Sequence, residues 1–390
     1  MQIGKLVREG AITIKTGPFG TQLKAAEYQE TGTPVLNVKN LGYGFVNSAK
    51  LDHVGSDTVE RLRIHLLQKG DIVFGRKGAV DRHAYIDNES VGWMQGSDCI
   101  RLRVETDDIN PRFLSYYFLT NQHKAFMISM CSHGTTMASL NQKILEQIDF
   151  PYLERNYQDK IVAVLERIDE KAVVNRKINE NLLQQAGAVF NKFYEESSNQ
   201  QPFTSLIRVL GGGTPKTGNP DFWDGPIPFF TPKDVGVPYT FQTEKYITES
   251  GLAHCNSRLY QKDTTFVTAR GTVGKVSLAG APMAMNQSCY ALVSEVTDPL
   301  LVYFYVLKAV ASLKHKASGA VFDAIVTRDF DSETINILSD DDSKSVLTFI
   351  RPMMEAIHNN SEENMRLASL RDSLLPRLMS GELDVSDLDP

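Results

Sequence analysis

Apolar side chains recur along residues 158–196 at alternating steps of four and three positions. This spacing predicts one long helix with the narrow apolar seam of a coiled coil, rather than the broader buried face of a globular helix. The seam consists of Ile161, Leu165, Ile168, Ala172, Leu182, Ala186, Val189 and Phe193. Two polar residues, Asn175 and Asn179, interrupt it at its centre. A buried Asn in such a seam lowers stability but fixes the register of the helices.

The same pattern returns 185 positions later, where Asn360 and Asn364 interrupt a second seam. Its apolar members are Val346, Ile350, Met353, Ile357, Leu367 and Leu370. Because the chain repeats both a seam and its interruption, we interpret it as a tandem duplication.

The segments between the two long helices also correspond. In each copy a strand pattern runs into a turn of basic residues and Gly, and a cap residue followed by Pro predicts the start of a helix. The matching segments are 32–41 with 225–235, 70–80 with 262–273, Asn110-Pro111 with Asp298-Pro299, and 133–145 with 318–330.

The fold class predicted from this order is α+β, with two tandem mixed α/β domains that are each followed by a long helix. The expected boundaries are a first domain at 1–156, a central helix at 157–196, a second domain at 197–340, and a C-terminal helix with its tail at 341–390.

Composition is that of an ordinary globular protein, with 42% hydrophobic and 23% charged residues. The first 15 residues lack the apolar core of a signal peptide. The most apolar window, 300–313, is too short to span a bilayer and contains Lys308. The four cysteines form no C-x-x-C pair, which favours free thiols over disulfides or a zinc site. We therefore expect a cytoplasmic protein without a membrane partner.

Net charge is −6, which at first argues against a nucleic-acid partner. Residues 340–390, however, hold 5 Lys or Arg against 11 Asp or Glu and account for the whole imbalance. The remaining chain is neutral, so basic loops within it could still supply phosphate contacts.

The sequence contains no complete catalytic motif among those that it partly resembles. Gly211–Pro220 is rich in Gly but lacks the Lys-Ser/Thr of a phosphate-binding loop, and a turn is the better interpretation. Asn219–Phe222 resembles the Asn-Pro-Pro-Phe loop of amino-methyltransferases except at Asp221, and no glycine-rich methyl-donor loop accompanies it. The eight histidines are dispersed and form no H-E-x-x-H pair. We therefore expect no catalytic residues, no metal and no bound cofactor.

Basic and amide residues in the corresponding turns are the better candidates. Lys and Arg suit phosphate contact, whereas Asn, Gln and Arg suit base edges, which is how DNA-reading proteins divide these contacts. In the first domain the candidate DNA-binding residues are Lys39, Asn40, Arg76, Lys77, Thr135, Thr136 and Asn141. In the second they are Lys216, Lys233, Arg270, Lys275, Asn286, Gln287 and Arg328.

Two segments resemble a known family. Residues 211–235, GGGTPKTGNPDFWDGPIPFFTPKDV, resemble the opening motif of target recognition domains in type I restriction–modification specificity subunits, and residues 370–383 are similar to that family's ending. The layout of domain, helix, domain, helix extends this resemblance over the whole chain. In the first half-chain, Gly17–Gly20 lacks the Gly-Gly-Thr-Pro of the motif.

The resemblance implies an antiparallel coiled coil of the two helices and two target recognition domains that each read half of a bipartite, asymmetric site in double-stranded DNA. It also implies two methyltransferase subunits and restriction/translocase subunits as partners, and these would use S-adenosylmethionine, ATP and magnesium. In that arrangement Asn175 and Asn179 would face Asn364 and Asn360. The alternatives are a self-contained nuclease or methyltransferase with tandem DNA-binding domains, and a coiled-coil scaffold with two protein-binding domains.

Overall fold

The computed structural model describes residues 1–131, 138–316 and 324–385. The chain forms two compact units. The first unit consists of Met1–Glu170 together with Leu367–Pro390, and the second consists of Lys171–Arg366. Each unit therefore contains one mixed α/β domain and a part of each of the two long helices.

The first unit is built on two four-stranded sheets, with orders β1-β8-β5-β6 and β2-β4-β3-β7. The long helix α6 begins in this unit, and its residues from Lys171 onward belong to the second unit. Its elements are α1 (Ile3–Arg8), β1 (Ile12–Thr16), β2 (Tyr28–Gln29), β3 (Thr33–Leu36), β4 (Asp52–Val54), α2 (Ser56–Arg61), β5 (Ile72–Gly75), β6 (His83–Tyr85), β7 (Met94–Gln95), β8 (Cys99–Val104), α3 (Pro111–Tyr117), α4 (Asn121–Cys131), α5 (Gln142–Glu146) and α6 (Arg155–Glu196).

The second unit has a five-stranded sheet, β10-β17-β14-β15-β12, a three-stranded sheet, β13-β11-β16, and the pair β18-β9. Its elements are β9 (Gln200–Pro202), β10 (Arg208–Gly211), β11 (Trp223–Phe230), β12 (Tyr239–Thr240), β13 (Tyr246–Ile247), α7 (Glu249–Ala253), β14 (Thr265–Thr268), β15 (Val276–Ala279), β16 (Ala284–Met285), β17 (Cys289–Val293), α8 (Pro299–Lys316), α9 (Thr327–Asp331), β18 (Thr334–Asn336) and α10 (Asp340–Met379).

The same topology appears in both units, and the mixed α+β class is confirmed. The sheet order β1-β8-β5-β6 corresponds to β10-β17-β14-β15, and the parallel pair β3–β7 corresponds to β11–β16. Both predicted helix starts are present: Asn110 accepts a hydrogen bond from the Arg112 N–H at 2.8 Å, and Asp298 accepts one from the Leu300 N–H at 3.0 Å. Each cap satisfies an amide that has no partner inside its helix.

The long helices contact each other through polar side chains within the second unit. The Asn175 amide donates to the Asn364 side chain at 3.0 Å and to Glu363 at 2.7 Å. The Asn360 amide donates to the Asn179 side chain at 2.9 Å. Since the partner numbers fall as the α6 numbers rise, these contacts run in the antiparallel sense.

Within the first unit, the remaining parts of α6 and α10 contact each other in the same sense. The Arg371 guanidinium lies 3.1 Å from the Asp169 carboxylate. Beyond the end of α10, the Tyr157 hydroxyl of α6 donates to the Leu383 carbonyl at 3.0 Å. The seam prediction is wrong at Leu370, which is 46% exposed. Leu375 and Leu378 are buried there instead, because a straight helix turns away from a strict seven-residue repeat.

Two buried histidines predict that the protein loses stability in mild acid. Burial lowers the pKa of His83 and of His123 from 6.5 to about 3. At pH 5 the unfolded chain therefore takes up protons that the folded chain does not, and the free energy of unfolding should fall by about 2 kcal/mol per histidine relative to pH 7. Chemical denaturation at both pH values measures this loss.

The control is His123→Phe, which removes the titrating group and keeps an aromatic ring. The ring centres of His123 and Phe118 lie 4.7 Å apart, and the His123 Nδ1 has no hydrogen-bond partner. This variant should lose less stability between pH 7 and pH 5 than the parent. An equal loss in both proteins would show that His123 does not contribute.

Candidate nucleic-acid interface

In the first unit, four segments that flank strands and one that precedes the helix α5 converge at one place. Backbone hydrogen bonds join them: Gly17 N–H to Cys99 O at 2.9 Å, Arg76 N–H to Asp98 O at 2.8 Å, Gly96 N–H to Leu36 O at 3.0 Å, and Leu140 N–H to Arg76 O at 2.8 Å. We call this place the first loop cluster, and it comprises residues 17–22, 37–41, 76–82, 96–98 and 138–141.

A corresponding second loop cluster lies in the second unit and comprises residues 212–219, 231–235, 269–275, 286–288 and 324–328. Three of its backbone bonds repeat those of the first: Ala269 N–H to Ser288 O at 2.8 Å, Asn286 N–H to Phe230 O at 3.0 Å, and Ile325 N–H to Ala269 O at 2.9 Å. In addition, the Gly213 N–H donates to Met285 O at 3.2 Å. The two clusters therefore share a backbone framework that carries different side chains.

Gly17 is the counterpart of Gly212, a match that the sequence motif did not reveal. A Cβ on Gly17 would lie 2.0 Å from the Gly96 carbonyl oxygen, and a Cβ on Gly212 would lie 2.1 Å from the Asn286 carbonyl oxygen. Both positions follow the first strand of the main sheet and touch the loop after the short parallel strand. The first half-chain thus has the same close contact between a Gly and a backbone carbonyl, although it lacks the Gly-Gly-Thr-Pro sequence. A Gly directly after a predicted strand was the sequence feature that could have revealed this match.

This close approach makes a prediction for Gly212→Ala. The new methyl group would meet a backbone oxygen that cannot move aside easily, so we expect a loss of about 1–3 kcal/mol in the free energy of unfolding, as for other overpacked sites. The adjacent Gly211→Ala is the matched control, because a Cβ there has no atom within 4 Å. Equal unfolding curves for the two variants would contradict the prediction.

The tips of the two clusters carry corresponding cations. Lys77 and Arg270 are exposed, and each precedes a Gly with positive φ, 75° at Gly78 and 82° at Gly271. The backbone of Lys77 pairs with that of Ser139 in a single antiparallel β-bridge, and the backbone of Arg270 pairs with that of Ala324 in the same way. Within the described ranges neither cation has an ion-pair partner. The local fold therefore presents both charges to solvent.

Most other candidates also lie in the clusters. In the second, Lys216, Gln287 and Arg328 are exposed, Asn286 is half-buried, and Lys275 is exposed next to the helix α8. The Thr214 hydroxyl donates to the Gln287 side chain.

In the first loop cluster, Arg76 is half-buried, and Asn141 is exposed and caps α5 by accepting from the Ile144 N–H at 3.0 Å. Thr135 and Thr136 lie outside the described residues.

Two candidate lysines are held by carboxylates at the surface. Lys39 lies 2.7 Å from Asp52, and its hydrogen bond is the main cause that lowers the pKa of that carboxyl group. Lys233 lies 3.4 Å from Glu244. Exposed pairs of this kind contribute little to stability, so a phosphate could compete for either lysine.

Asn40 departs from the expectation of a DNA contact. Its side chain is buried, and its amide donates to the carbonyl oxygens of Asn47 at 3.0 Å and Ala49 at 3.3 Å. These bonds close the turn after β3, and a base could not reach the amide without breaking them. The role of Asn40 in this conformation is structural.

An aromatic and basic group extends the first loop cluster and was missed from the sequence. The Arg82 guanidinium and the Lys124 ammonium lie 5.4 Å and 4.9 Å from the centre of the Tyr43 ring, and Phe45 beside it is 58% exposed. The Tyr43 hydroxyl donates to Asp81 at 2.7 Å. Cations beside exposed rings are typical of nucleic-acid surfaces. The residues come from three distant segments, so no local pattern could join them.

Within the described ranges, no group of three His, Cys, Asp or Glu side chains could hold a metal ion. Cys99, Cys131 and Cys289 are buried free thiols, and burial raises their pKa, which disfavours the reactive thiolate. No helix in the described part of the chain is long and apolar enough to cross a membrane.

A repeated domain with exposed cations at corresponding loops defines a protein with two binding domains in tandem. The model of the family described as type I restriction modification DNA specificity domain matches residues 13–184 and again residues 203–365. The chain belongs to this family and carries two copies of its domain.

Known relatives agree with this family. The HindI type I restriction enzyme specificity subunit of Haemophilus influenzae is 20% identical, over 81% of this chain and 87% of that protein. The MjaIX specificity subunit of Methanocaldococcus jannaschii is 28% identical over 162 residues, which are 40% of this chain and 38% of that protein. The crystal structure of the type I S subunit from M. genitalium has a TM-score of 0.56 at 14% identity and covers 97% of this chain and 95% of that one. The fold is shared over nearly the full length.

The family is the non-catalytic specificity component of type I systems, in which partner subunits perform catalysis. The predicted resemblance, the DNA-specificity function and the absence of catalysis by this component are therefore confirmed. A self-contained nuclease or methyltransferase is not supported.

Proposed function

We propose that the chain selects a bipartite, asymmetric target in double-stranded DNA, with one loop cluster reading each half. The observation that carries this proposal is the shared backbone framework of the two clusters combined with their different side chains. A shared framework would place both clusters on DNA in the same manner. Different side chains would then demand different bases.

The residues divide by chemistry. Lys77, Arg270 and Lys216 are exposed cations at loop tips and suit phosphate oxygens. Gln287 and Asn141 present amides that can pair with base edges, most simply those of adenine. The remaining proposed contacts are Lys39, Arg76, Lys233, Lys275, Asn286 and Arg328, joined by Arg82 and Lys124 from the aromatic group.

We also propose that two methyltransferase subunits and restriction/translocase subunits assemble on this chain in the cytoplasm, where they would use S-adenosylmethionine, ATP and magnesium. An exposed apolar stripe on α6 supports docking of the methyltransferases. Val173, Val174 and Ile178 are 36%, 49% and 44% exposed. Val174 and Ile178, together with Leu182 and Gln185, border a shallow groove of about 370 Å³. Apolar side chains exposed in a row favour a protein partner.

Reconstitution tests both proposals. The chain alone, mixed with DNA, methyl donor and magnesium, should give no turnover. With methyltransferase subunits added, sequencing of methylated adenines should return one motif with two unlike halves. Replacing Ile178 by Glu should weaken assembly, because a charge would enter the apolar stripe. Turnover by the chain alone, or a motif of one continuous block, would contradict the proposal.

A further inference from the structure

The second unit contains a groove of about 570 Å³ between the helices α6 and α8. Its floor is apolar and includes Leu183, Phe190 and Leu307. Val237, on its rim, is 75% exposed. An apolar groove between two helices can accept a third, amphipathic helix.

Gly187 lines this groove and leaves space there, although Gly does not stabilise the helix α6. Gly in a helix interior is unfavourable relative to Ala, yet a Cβ on Gly187 would find no atom within 4 Å. Nothing in the described chain therefore requires Gly at this place. An approaching helix would benefit, because its backbone could come closer to α6 here.

Three lysines surround the apolar floor. They are Lys275, Lys308 and Lys314, and none of the described residues that line the groove is Asp or Glu. The Lys314 ammonium donates to the Gly274 carbonyl at 2.6 Å, and the Lys308 ammonium lies 4.9 Å from the centre of the Tyr194 ring and 3.9 Å from Glu195. Burial lowers the pKa of Lys314, and the positive charge of the nearby Lys275 lowers it further. The groove therefore has a positive field that an anionic partner would relieve.

The first unit has a counterpart groove with the opposite charge balance. It measures about 500 Å³ and lies where α10 packs near the end of α3 and the start of α4. Asp149 and Asp372 line it, and Lys124 is its only Lys or Arg among the described residues. Duplication thus produced two grooves of similar size, of which only the second is uniformly basic.

We propose that the groove of the second unit binds an acidic amphipathic helix from a protein partner of the complex. The apolar floor favours apolar side chains in the occupant, which DNA does not offer. Lys308 and Lys314, which are not among the proposed DNA contacts, favour carboxylates beside them. The opposite charge of the first groove means that the same helix would not be accepted there. The inference rests on the proposed function only in assuming that the chain works with partner subunits.

Zero-length carbodiimide cross-linking tests the proposal, because this reagent joins an amine only to a carboxylate in direct contact. The full chain is assembled with its methyltransferase and restriction subunits without DNA, and the cross-links are mapped by mass spectrometry. We expect Lys308 or Lys314 to be joined to Asp or Glu of one partner helix, and the link to persist when duplex DNA is added. Absence of partner links at both lysines would overturn the proposal. Loss of the links with DNA would do so too, since it would assign the site to phosphate.

Variants at Gly187 test the shape. Gly187→Met should weaken binding of the cross-linked subunit roughly tenfold by filling the groove, whereas Gly187→Ala should bind normally. Neither should lower the melting temperature, because a Cβ at this position meets no atom within 4 Å and both residues favour the helix more than Gly does. Equal binding by Gly187→Met and Gly187→Ala would overturn the proposal.

Variants at the lysines test the charge. The double variant Lys308→Gln/Lys314→Gln should weaken the same subunit, while Lys192→Gln/Lys262→Gln, which removes two exposed charges outside the groove, should not. Equal loss in both double variants would overturn the proposal. All these readouts are taken without DNA, so they hold whether or not the loop clusters read a bipartite target.

Discussion

A complex that carries Lys77→Glu and Arg270→Glu should bind its target duplex roughly 100-fold more weakly than the parent at 0.1 M salt. Each tip cation is exposed and lacks an ion-pair partner in the described ranges. Removal of a phosphate-binding cation together with like-charge repulsion is expected to cost about tenfold in affinity at each tip. The slope of log affinity against log salt should also fall, by about one for each phosphate that the complex no longer neutralises. Duplex titration at several salt concentrations measures both.

The matched control is Lys69→Glu with Lys262→Glu. These lysines are exposed and precede β5 and β14, the strands whose other ends lead to Lys77 and Arg270. The charge change is identical, but it falls away from the loop clusters. If the control pair weakened binding as much as the tip pair, overall charge rather than the clusters would govern affinity.

The second large effect concerns the polar layer between the long helices. Asn364→Leu removes the acceptor of one Asn175 N–H, and the Asn175 side chain is buried with an oxygen that already lacks a partner. An additional buried donor without a partner costs about 1–3 kcal/mol. We therefore expect the free energy of unfolding to fall by that amount in denaturant titrations.

The double variant Asn175→Leu/Asn364→Leu should recover this loss, because two apolar side chains would then face each other while Glu363 keeps its ion pair with Lys171 at 3.2 Å. Polar layers fix register at the expense of stability. The quadruple variant that also has Asn179→Leu and Asn360→Leu should therefore assemble less uniformly with methyltransferase subunits. Unchanged melting together with unchanged assembly would contradict a register role for these four residues.

Sequence periodicity predicted the large elements well because the apolar spacing is set by helix geometry itself. The seam at Ile161, Leu165, Val346 and Ile350 is buried as the spacing required. The repeat also placed the basic turns correctly, since Lys77-Gly78 and Arg270-Gly271 keep the same residue order and positive φ at Gly. Local patterns of this kind depend on neighbours along the chain, and a sequence shows those directly.

The site was predicted less completely because its contacts join distant segments. Asn40 has the right chemistry for a base but is drawn into its own turn by carbonyl groups at Asn47 and Ala49. Gly17 was not matched to Gly212, since the match lies in the approach to another loop rather than in neighbouring letters. The group around Tyr43 depends on packing that no single segment encodes.

Exchange of residues 203–339 for the corresponding segment of another family member tests the central claim most directly. The hybrid is assembled with methyltransferase subunits, and the methylated adenine motif is read by single-molecule sequencing. If each loop cluster reads its own half-site, the half specified by the second domain should change and the other half should remain. A change in both halves would contradict independent reading, and an unchanged motif would contradict recognition by the second loop cluster.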